Sequence, residues 1–484
     1  MKNKRGINKN DVFHIMVILG FLAINFVLAK HHELWRDEAQ AWLLVRDCTF
    51  RHLVEMMQSE GHPFLWHMML LPFVRAGFSP DIMKYISLLV VTAGVAVMVR
   101  YAPFHPLIKL LVCGLCTYYL PDVARSYCVV VFVLFSVAVL YSGRHEHCML
   151  YGILLYLLTQ IHLIMEGAAI ALITLYLLEV LQDRGYRKNK KQYLPVIMGM
   201  LGILQLIWIL WGADTHSASD RIWSHVFAIP KVLWDAYGAV LAEIFYEKLA
   251  FMILPVQILT VLLLVLLLIS WKQYGKELWI MLCMLGAQTV IAGYITNSNK
   301  QRSLCVITGF VFLLWLIRDK AGCEKRRMRE RFVPVCNVVL VILCIGCLLP
   351  TIYQNAKRDI YDPYSDAGHI AEVLKEKGYE DALILTPHEY LTGALLCYLP
   401  EAAGYSVANE KYYTYIDWRD DTSDQITQEQ FVKVAEEQKK RYRHVIFLTC
   451  IYIYPQGFDT NSVSILYKSY GNEMTEEAFY VCEM

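Results

Sequence analysis

Residues 12–29 read VFHIMVILGFLAINFVLA, an apolar run whose one ionisable side chain is His14. A helix needs about 20 mostly apolar residues to cross a bilayer, and this stretch supplies nearly that many. The basic residues Lys2, Lys4, Arg5 and Lys9 precede it, and such charge is held on the cytoplasmic side, so the N-terminus is expected there. The run is too long for a signal-peptide core and lacks a small-residue cleavage site, which makes it a retained helix. Trp35-Arg36-Asp37-Glu38-Ala39 follows within a few residues. Two adjacent carboxylates are thereby expected in a loop at the outer membrane surface.

Working outward, 57% of the 484 residues are hydrophobic and the mean hydropathy is +0.39, well above ordinary globular domains. The expected fold class is a polytopic α-helical membrane protein with a C-terminal extracytoplasmic α/β domain. Candidate spans fall at 12–29, 63–78, 83–100, 106–121, 126–142, 148–163, 164–182, 194–212, 249–270, 278–296, 303–318 and 333–350. A cytoplasmic N-terminus and an external C-terminal region demand an odd number. Either 63–78, which is short and follows Gly61-His62-Pro63, is not a span, or 148–182 is a span plus a half-helix, giving 11 or 13. The basic stretches 184–191 and 318–331 mark cytoplasmic loops rather than nucleic-acid binding. The segment 213–249, with Trp223, Phe227, Trp234, Tyr237, Phe245 and Tyr246, is expected outside, with a helix lying in the headgroup zone.

The net charge of +1 is uninformative, and the 14 cysteines mostly sit inside apolar runs as small packing residues. Cys48, Cys397, Cys450 and Cys482 are expected on the oxidising side, without a spacing that fixes a disulfide pairing. The composition turns soluble after Pro350, dividing the chain into a transmembrane domain, 1–350, and a soluble domain, 351–484. In the latter, helical patterns at 365–377 and 428–441 alternate with apolar strand-like runs at 382–385 and 445–448. Lys375-Glu376-Lys377-Gly378 has the form of a helix end with a glycine stop. No glycine-rich phosphate loop or metal-ligand cluster is visible there.

Several side chains carry chemistry in this pattern. Asp37 and Glu38 are open to two readings: solvated charges or a helix cap near Ala39, and a general base poised at the membrane face. His62 opens the second apolar run, with His67 little more than a helical turn later. Arg125 lies between two apolar runs, where a charge is either paired or snorkels to the interface. His162 and Glu166, four apart, are expected on one helix face as a polar lining, and as a metal pair they supply two ligands alone. Lys300 and Arg302, at the outer mouth of a late helix beside Asn299, combine a point charge and a guanidinium fork suited to a lipid phosphate.

As a set, Trp35-Arg36-Asp37-Glu38-Ala39-Gln40-Ala41, Gly61-His62-Pro63-Phe64-Leu65, Ala124-Arg125-Ser126-Tyr127, a mid-chain His162 and Arg302-Ser303-Leu304 resemble the GT-C glycosyltransferases. The nearest likeness is to the bacterial relatives of protein O-mannosyltransferases and the aminoarabinose transferase of lipid A, the glycosyltransferase family 39 type. The sequence departs from that pattern at Phe64, where the family often has proline, and at Arg302-Ser303-Leu304-Cys305-Val306, where Arg-Tyr-Leu-Leu-Pro is common.

The resemblance implies an inverting transfer of a sugar from a polyprenyl-phosphate donor to a hydroxyl on an acceptor lipid, glycan or protein, at the outer face of a bacterial plasma membrane. It implies Asp37 as base with Glu38 beside it, and Arg302, Lys300 and Arg125 on the donor phosphate. Trp35, His62, His162 and Glu166 would line the cavity. A lipid phosphate is a good leaving group, so one carboxylate and one or two cations suffice, and no cofactor is required. Metal assistance is left open. Two other classes stay in view: a multi-span transporter, for which no internal repeats are found, and a membrane O-acyltransferase centred on His162.

Overall fold

In the computed structural model, the residues described are 9–60, 62–211, 229–245, 247–291, 299–321, 334, 337, 338, 340–342, 345–362, 364–418, 426–450, 464–469, 477 and 479–483. The chain forms two compact units that do not follow it linearly. The first comprises Met1–Val27, Ile86–Asp122 and Ser126–Asn355; the second comprises Leu28–Tyr85, Val123–Arg125 and Ala356–Met484.

Among the described residues, six helices are long and apolar enough to cross a membrane: Asn10–His31, Ile82–Tyr101, Leu163–Gln182, Lys190–Ile209, Glu247–Ile269 and Lys300–Asp319. With the small C-terminal sheet, this is compatible with a polytopic membrane protein. Three of the expected spans are shorter apolar helices, Pro106–Leu115, Cys128–Leu140 and Cys148–Thr159. The run at 63–78 forms only the 11-residue helix Leu65–Arg75. The run at 278–296 falls in the helix Trp271–Val290, which is kinked at Tyr274 (φ −121°, ψ 19°). Of 333–350, residues 333, 335, 336, 339, 343 and 344 lie outside the described residues, and its end enters the helix Cys347–Ile352; most of the basic loop 318–331 lies outside them, as do Trp223, Phe227 and Tyr246.

Within the first unit, small residues set how closely helices approach. A Cβ on Gly167 would collide with the Cys283 carbonyl oxygen, so the helix Glu166–Gln182 packs backbone to backbone on Trp271–Val290. The segment expected to lie in the headgroup zone contains the helix Ile229–Ile244. Val240 and Leu241 on it are buried, and Tyr237 Oη meets Thr260 Oγ1 at 3.0 Å.

The second unit is built on a six-stranded sheet: β1 Leu383–Thr386, β2 Ala403–Ser406, β3 Lys411–Tyr413, β4 Val445–Cys450, β5 Ser464–Lys468 and β6 Phe479–Glu483. Its order is β3-β2-β1-β4-β6-β5. β1 lies parallel to both β2 and β4, which explains a strand that is buried at all four positions, three of them apolar, rather than alternating. β3, β5 and β6 pair antiparallel. The helices expected at 365–377 and 428–441 appear as Ala367–Glu376 and Gln428–Gln438. Gly378, at φ +74°, ends the first; the amides of Gly378 and Tyr379 return to Lys375 and Leu374 at 2.9 Å. Thr427 and Gln430 cap the start of the second reciprocally, at 3.3 and 2.9 Å.

Phe431 of that helix meets Phe447 of β4 edge to face at 4.4 Å, inside a core completed by Leu383, Leu385, Val407 and Cys482. Phe431→Ala should cost about 3–5 kcal/mol, the range for emptying a buried aromatic site. Thermal unfolding followed by protease resistance between β4 and the C-terminus will read it as a lowered melting temperature.

Candidate functional site

Asp37 and Glu38 do not lie in a loop. They occupy the first turn of the helix Arg36–Asp47, where carboxylates complement the positive end of the helix dipole. Asp37 therefore does not cap a helix starting near Ala39: Trp35 precedes the first turn, and Glu38 reaches back to accept the Trp35 amide at 3.2 Å.

The two neighbours then diverge. Glu38 is fully buried; it accepts from the Ala124 amide and sits 2.9 Å from His32 Nε2. The other ring nitrogen, Nδ1, lies 2.9 Å from Asp359 Oδ2. An imidazole between two carboxylates donates from both nitrogens only as the imidazolium. Burial opposes that charge, but Glu38 and Asp359 outweigh it and hold the His32 pKa up to about 10. Lys84 Nζ donates to the His32 carbonyl at 2.7 Å, fixing the backbone as well.

Asp37, in contrast, keeps a side chain 27% exposed, and its Oδ2 pairs with Arg125 at 2.9 Å. Arg125 is thus paired rather than snorkelling. Asp37 Oδ1 has Arg36 Nε at 3.5 Å, beyond a good hydrogen bond. Close to this pair lies the half-buried Glu60, which accepts from Gln40 Nε2 at 2.8 Å and from the Trp418 indole. Desolvation, reinforced by Asp37, pushes its carboxyl up to about 7, with Gln40 and Arg125 opposing. His62 Nε2 stands 3.8 Å from Glu60, and its ring stacks on His67 at 5.7 Å. Glu477 accepts the Arg36 amide at 2.5 Å and is likewise raised by burial to about 7. Trp35 packs edge-on against Tyr364 at 5.6 Å.

Lys300 and Arg302 belong to the first unit, whereas Arg125 belongs to the second. Lys300 and Arg302 lie in the opening turn of the helix Lys300–Ala321. Arg302 Nε donates to Tyr127 Oη at 3.2 Å, and Tyr127 Oη lies 3.2 Å from His162 Nε2. Nδ1 of His162 accepts the Ile164 amide at 3.2 Å, so Nε2 carries the proton toward Tyr127. His162 and Glu166 are not two residues of one helix face. The backbone of His162 is extended (φ −167°, ψ 147°) and its ring caps a short 3₁₀ turn ahead of Glu166; Glu166 Oε1 is buried without a hydrogen-bond partner among the described residues. Lys300 Nζ lies over the Tyr119 ring at 5.5 Å and lines a small cleft with Glu243, Leu304 and Thr351. Further along the same helix, Ile307 and Phe310 join Val240, Leu241, Met281 and Met284 around an apolar cleft of about 480 Å³, open solvent included. Among the described residues, no cluster of three or more His, Cys, Asp or Glu side chains could hold a metal.

Sequence reasoning missed His32, Asp359, Glu60 and Glu477. His32 lies six residues before Glu38, just past the first span, which was a usable signal. Asp359 is 327 residues away and offered none. No family model matches this sequence, and no curated protein matches it.

His32 charged in the fold and titrating near 6.5 when unfolded contributes stability in full below about pH 6.5, which is lost as pH rises toward 10. His32→Gln should therefore destabilise by about 3 kcal/mol at neutral pH, as expected for breaking a buried ionic group. The gap in melting temperature between wild type and variant should shrink from pH 7 to pH 10. The raised Glu60 and Glu477 also weaken the fold as pH climbs from 4.5 to 7, but they do so in both proteins and cancel in the difference.

Proposed function

We propose that the chain is an inverting glycosyltransferase that moves a sugar from a polyprenyl-phosphate donor to a hydroxyl-bearing acceptor, with its N-terminus cytoplasmic and its C-terminal domain on the outer face of a bacterial plasma membrane. The observation that carries the reading is the division of labour between adjacent carboxylates. Glu38 is buried and locked to His32, while Asp37 is half-exposed, is anchored through one oxygen by Arg125, and keeps the other able to take a proton. A base needs both a fixed position and a spare lone pair.

Transfer also needs charge stabilisation on the departing phosphate. Lys300 and Arg302 at a helix N-terminus supply it, since backbone amides and both cations favour an anion there. Tyr127 and His162 position Arg302. The apolar cleft along the same helix suits a long isoprenoid chain. Asp37 accepts the proton of the acceptor hydroxyl, the hydroxyl oxygen bonds to the anomeric carbon, and the bond to the lipid phosphate breaks with inversion. The activity so proposed is mannosyltransferase-like, of the GT-C type, and located in the cell envelope. An acyltransferase centred on His162 is the weaker reading, because both ring nitrogens are already engaged in hydrogen bonds.

The test is turnover of a panel of labelled polyprenyl-phosphate sugars by the protein in lipid, with a membrane extract as acceptor. Asp37→Asn should reduce turnover by about 10²–10⁴, the contribution of a positioned base, and Arg302→Ala should reduce it by a comparable factor. Full activity in both variants sinks the assignment.

A further inference from the structure

In the first unit, a short connector joins two helices of membrane-crossing length, Leu163–Gln182 and Lys190–Ile209. Arg184, Arg187, Lys188, Lys190 and Lys191 lie on it or at its edge, and all five are exposed. We infer that this connector is a docking surface for anionic phospholipid headgroups, the phosphodiesters of the bilayer that surrounds these helices.

Basic residues are common at helix ends, but here the backbone that carries them is fixed. Asp183 Oδ1 accepts the Gly185 and Tyr186 amides at 2.7 and 3.0 Å, which caps the short helix Arg184–Lys188. Asn189 Oδ1 accepts the Lys191 amide at 3.1 Å, and Tyr193 Oη donates to the Arg187 carbonyl at 3.3 Å. The His145 ring stacks on both Tyr176 and Tyr186, at 4.6 and 4.2 Å between centroids. Gln192 holds the same histidine, with Oε1 2.9 Å from Nδ1 and Nε2 donating to the His145 carbonyl at 2.8 Å. These bonds order the connector without using its cationic side chains.

Among the described residues, the five cations have no ionic partner in the protein. Glu179, at the end of the preceding helix, is already occupied: it pairs with Arg144 at 2.7 Å, with His145 at 3.0 Å and with Lys276. A sixth cation joins them. The helix Trp271–Val290 runs antiparallel to Glu166–Gln182, since Lys276 meets Glu179 while Cys283 packs on Gly167. Lys272 is exposed and lies one turn before Lys276 on the same face, which carries it past Glu179 toward the connector. The nearby acids are Asp183, whose carboxylate caps the short helix, and the exposed Glu146.

The place of the connector selects its partner. Between two spanning helices its cations stand at headgroup depth, where guanidinium forks and ammonium groups bind phosphate and basic clusters attract acidic lipids. Exposed apolar side chains begin directly beside them: Leu178 and Leu181 before the connector, and Ile269 and Trp271 beside Lys272. Acyl chains can cover that surface while the headgroup meets the charge, a complementarity that a soluble polyanion lacks.

Native mass spectrometry of the full chain, released from nanodiscs of equal parts phosphatidylcholine and phosphatidylglycerol, tests this directly. Preferential retention of phosphatidylglycerol is expected. Arg187→Gln, Lys188→Gln and Lys191→Gln combined should lower that preference about tenfold, whereas Lys433→Gln, Lys439→Gln and Lys440→Gln, which remove the same charge from the sheet-containing unit, should leave it unchanged. The wild type alone gives a second reading: phosphatidylglycerol should raise its melting temperature at low salt and lose that effect at high salt. Equal retention of the two lipids, an equal loss of preference in both triple variants, or a stabilisation that survives high salt overturns the inference. Capture of a labelled oligonucleotide by the connector in phosphatidylcholine nanodiscs, with no preference for phosphatidylglycerol, also overturns it and assigns the patch to a soluble polyanion.

Discussion

A buried imidazolium held between two carboxylates is the constraint on which the sheet-containing unit depends. His32 follows the first apolar helix, Glu38 stands in the first turn of the next, and Asp359 comes from the helix Tyr353–Tyr361. In a low-dielectric interior each of these charges is expensive alone and tolerable only with the others. The triad therefore does more than stabilise. It sets the rotation of the helix Arg36–Asp47, and with it which of two adjacent acids is buried and which faces out.

That rotation organises what surrounds it. With Glu38 turned inward, Asp37 meets Arg125 and Gln40 meets both Glu60 and the backbone at Ile416. Glu60 and Glu477, raised toward neutrality by burial, add polar anchoring without a full second and third negative charge beside Asp37. In the first unit, the hydrogen-bond chain Arg302–Tyr127–His162 plays the corresponding part in fixing a guanidinium.

The parts legible in the sequence are those set by local pattern. The apolar runs gave six helices of membrane-crossing length, and the alternation after Pro350 gave Ala367–Glu376, β1, Gln428–Gln438 and β4 within a few residues. Gly378 marked a helix end because only a residue without Cβ adopts its φ cheaply. Less legible was anything decided by distant partners. The acidic pair was identifiable, but a helix in place of a loop followed from caps and buried contacts that one-dimensional spacing does not carry. His162 misled for the same reason: spacing of four suggests a shared helix face, yet its ring bonds the amide two residues on and breaks the helix there. Asp359, Glu477 and Ile416 reach the first turns of the chain across more than 300 residues, and no periodicity records such pairings.

The interleaving of the second unit has a consequence for how this chain acquires its fold. Residues 28–85 find their packing partners in Ala356–Met484, so the helix bearing Asp37 emerges early in synthesis and waits for the sheet. Contacts of such sequence separation close slowly, because the loop entropy precedes the reward. During that interval His32 and Glu38 lack Asp359, and Gln40 lacks the Ile416 backbone. The environment of Asp37 is thus assembled last, and the same long-range pairing that orients one carboxylate makes its geometry a late event in folding.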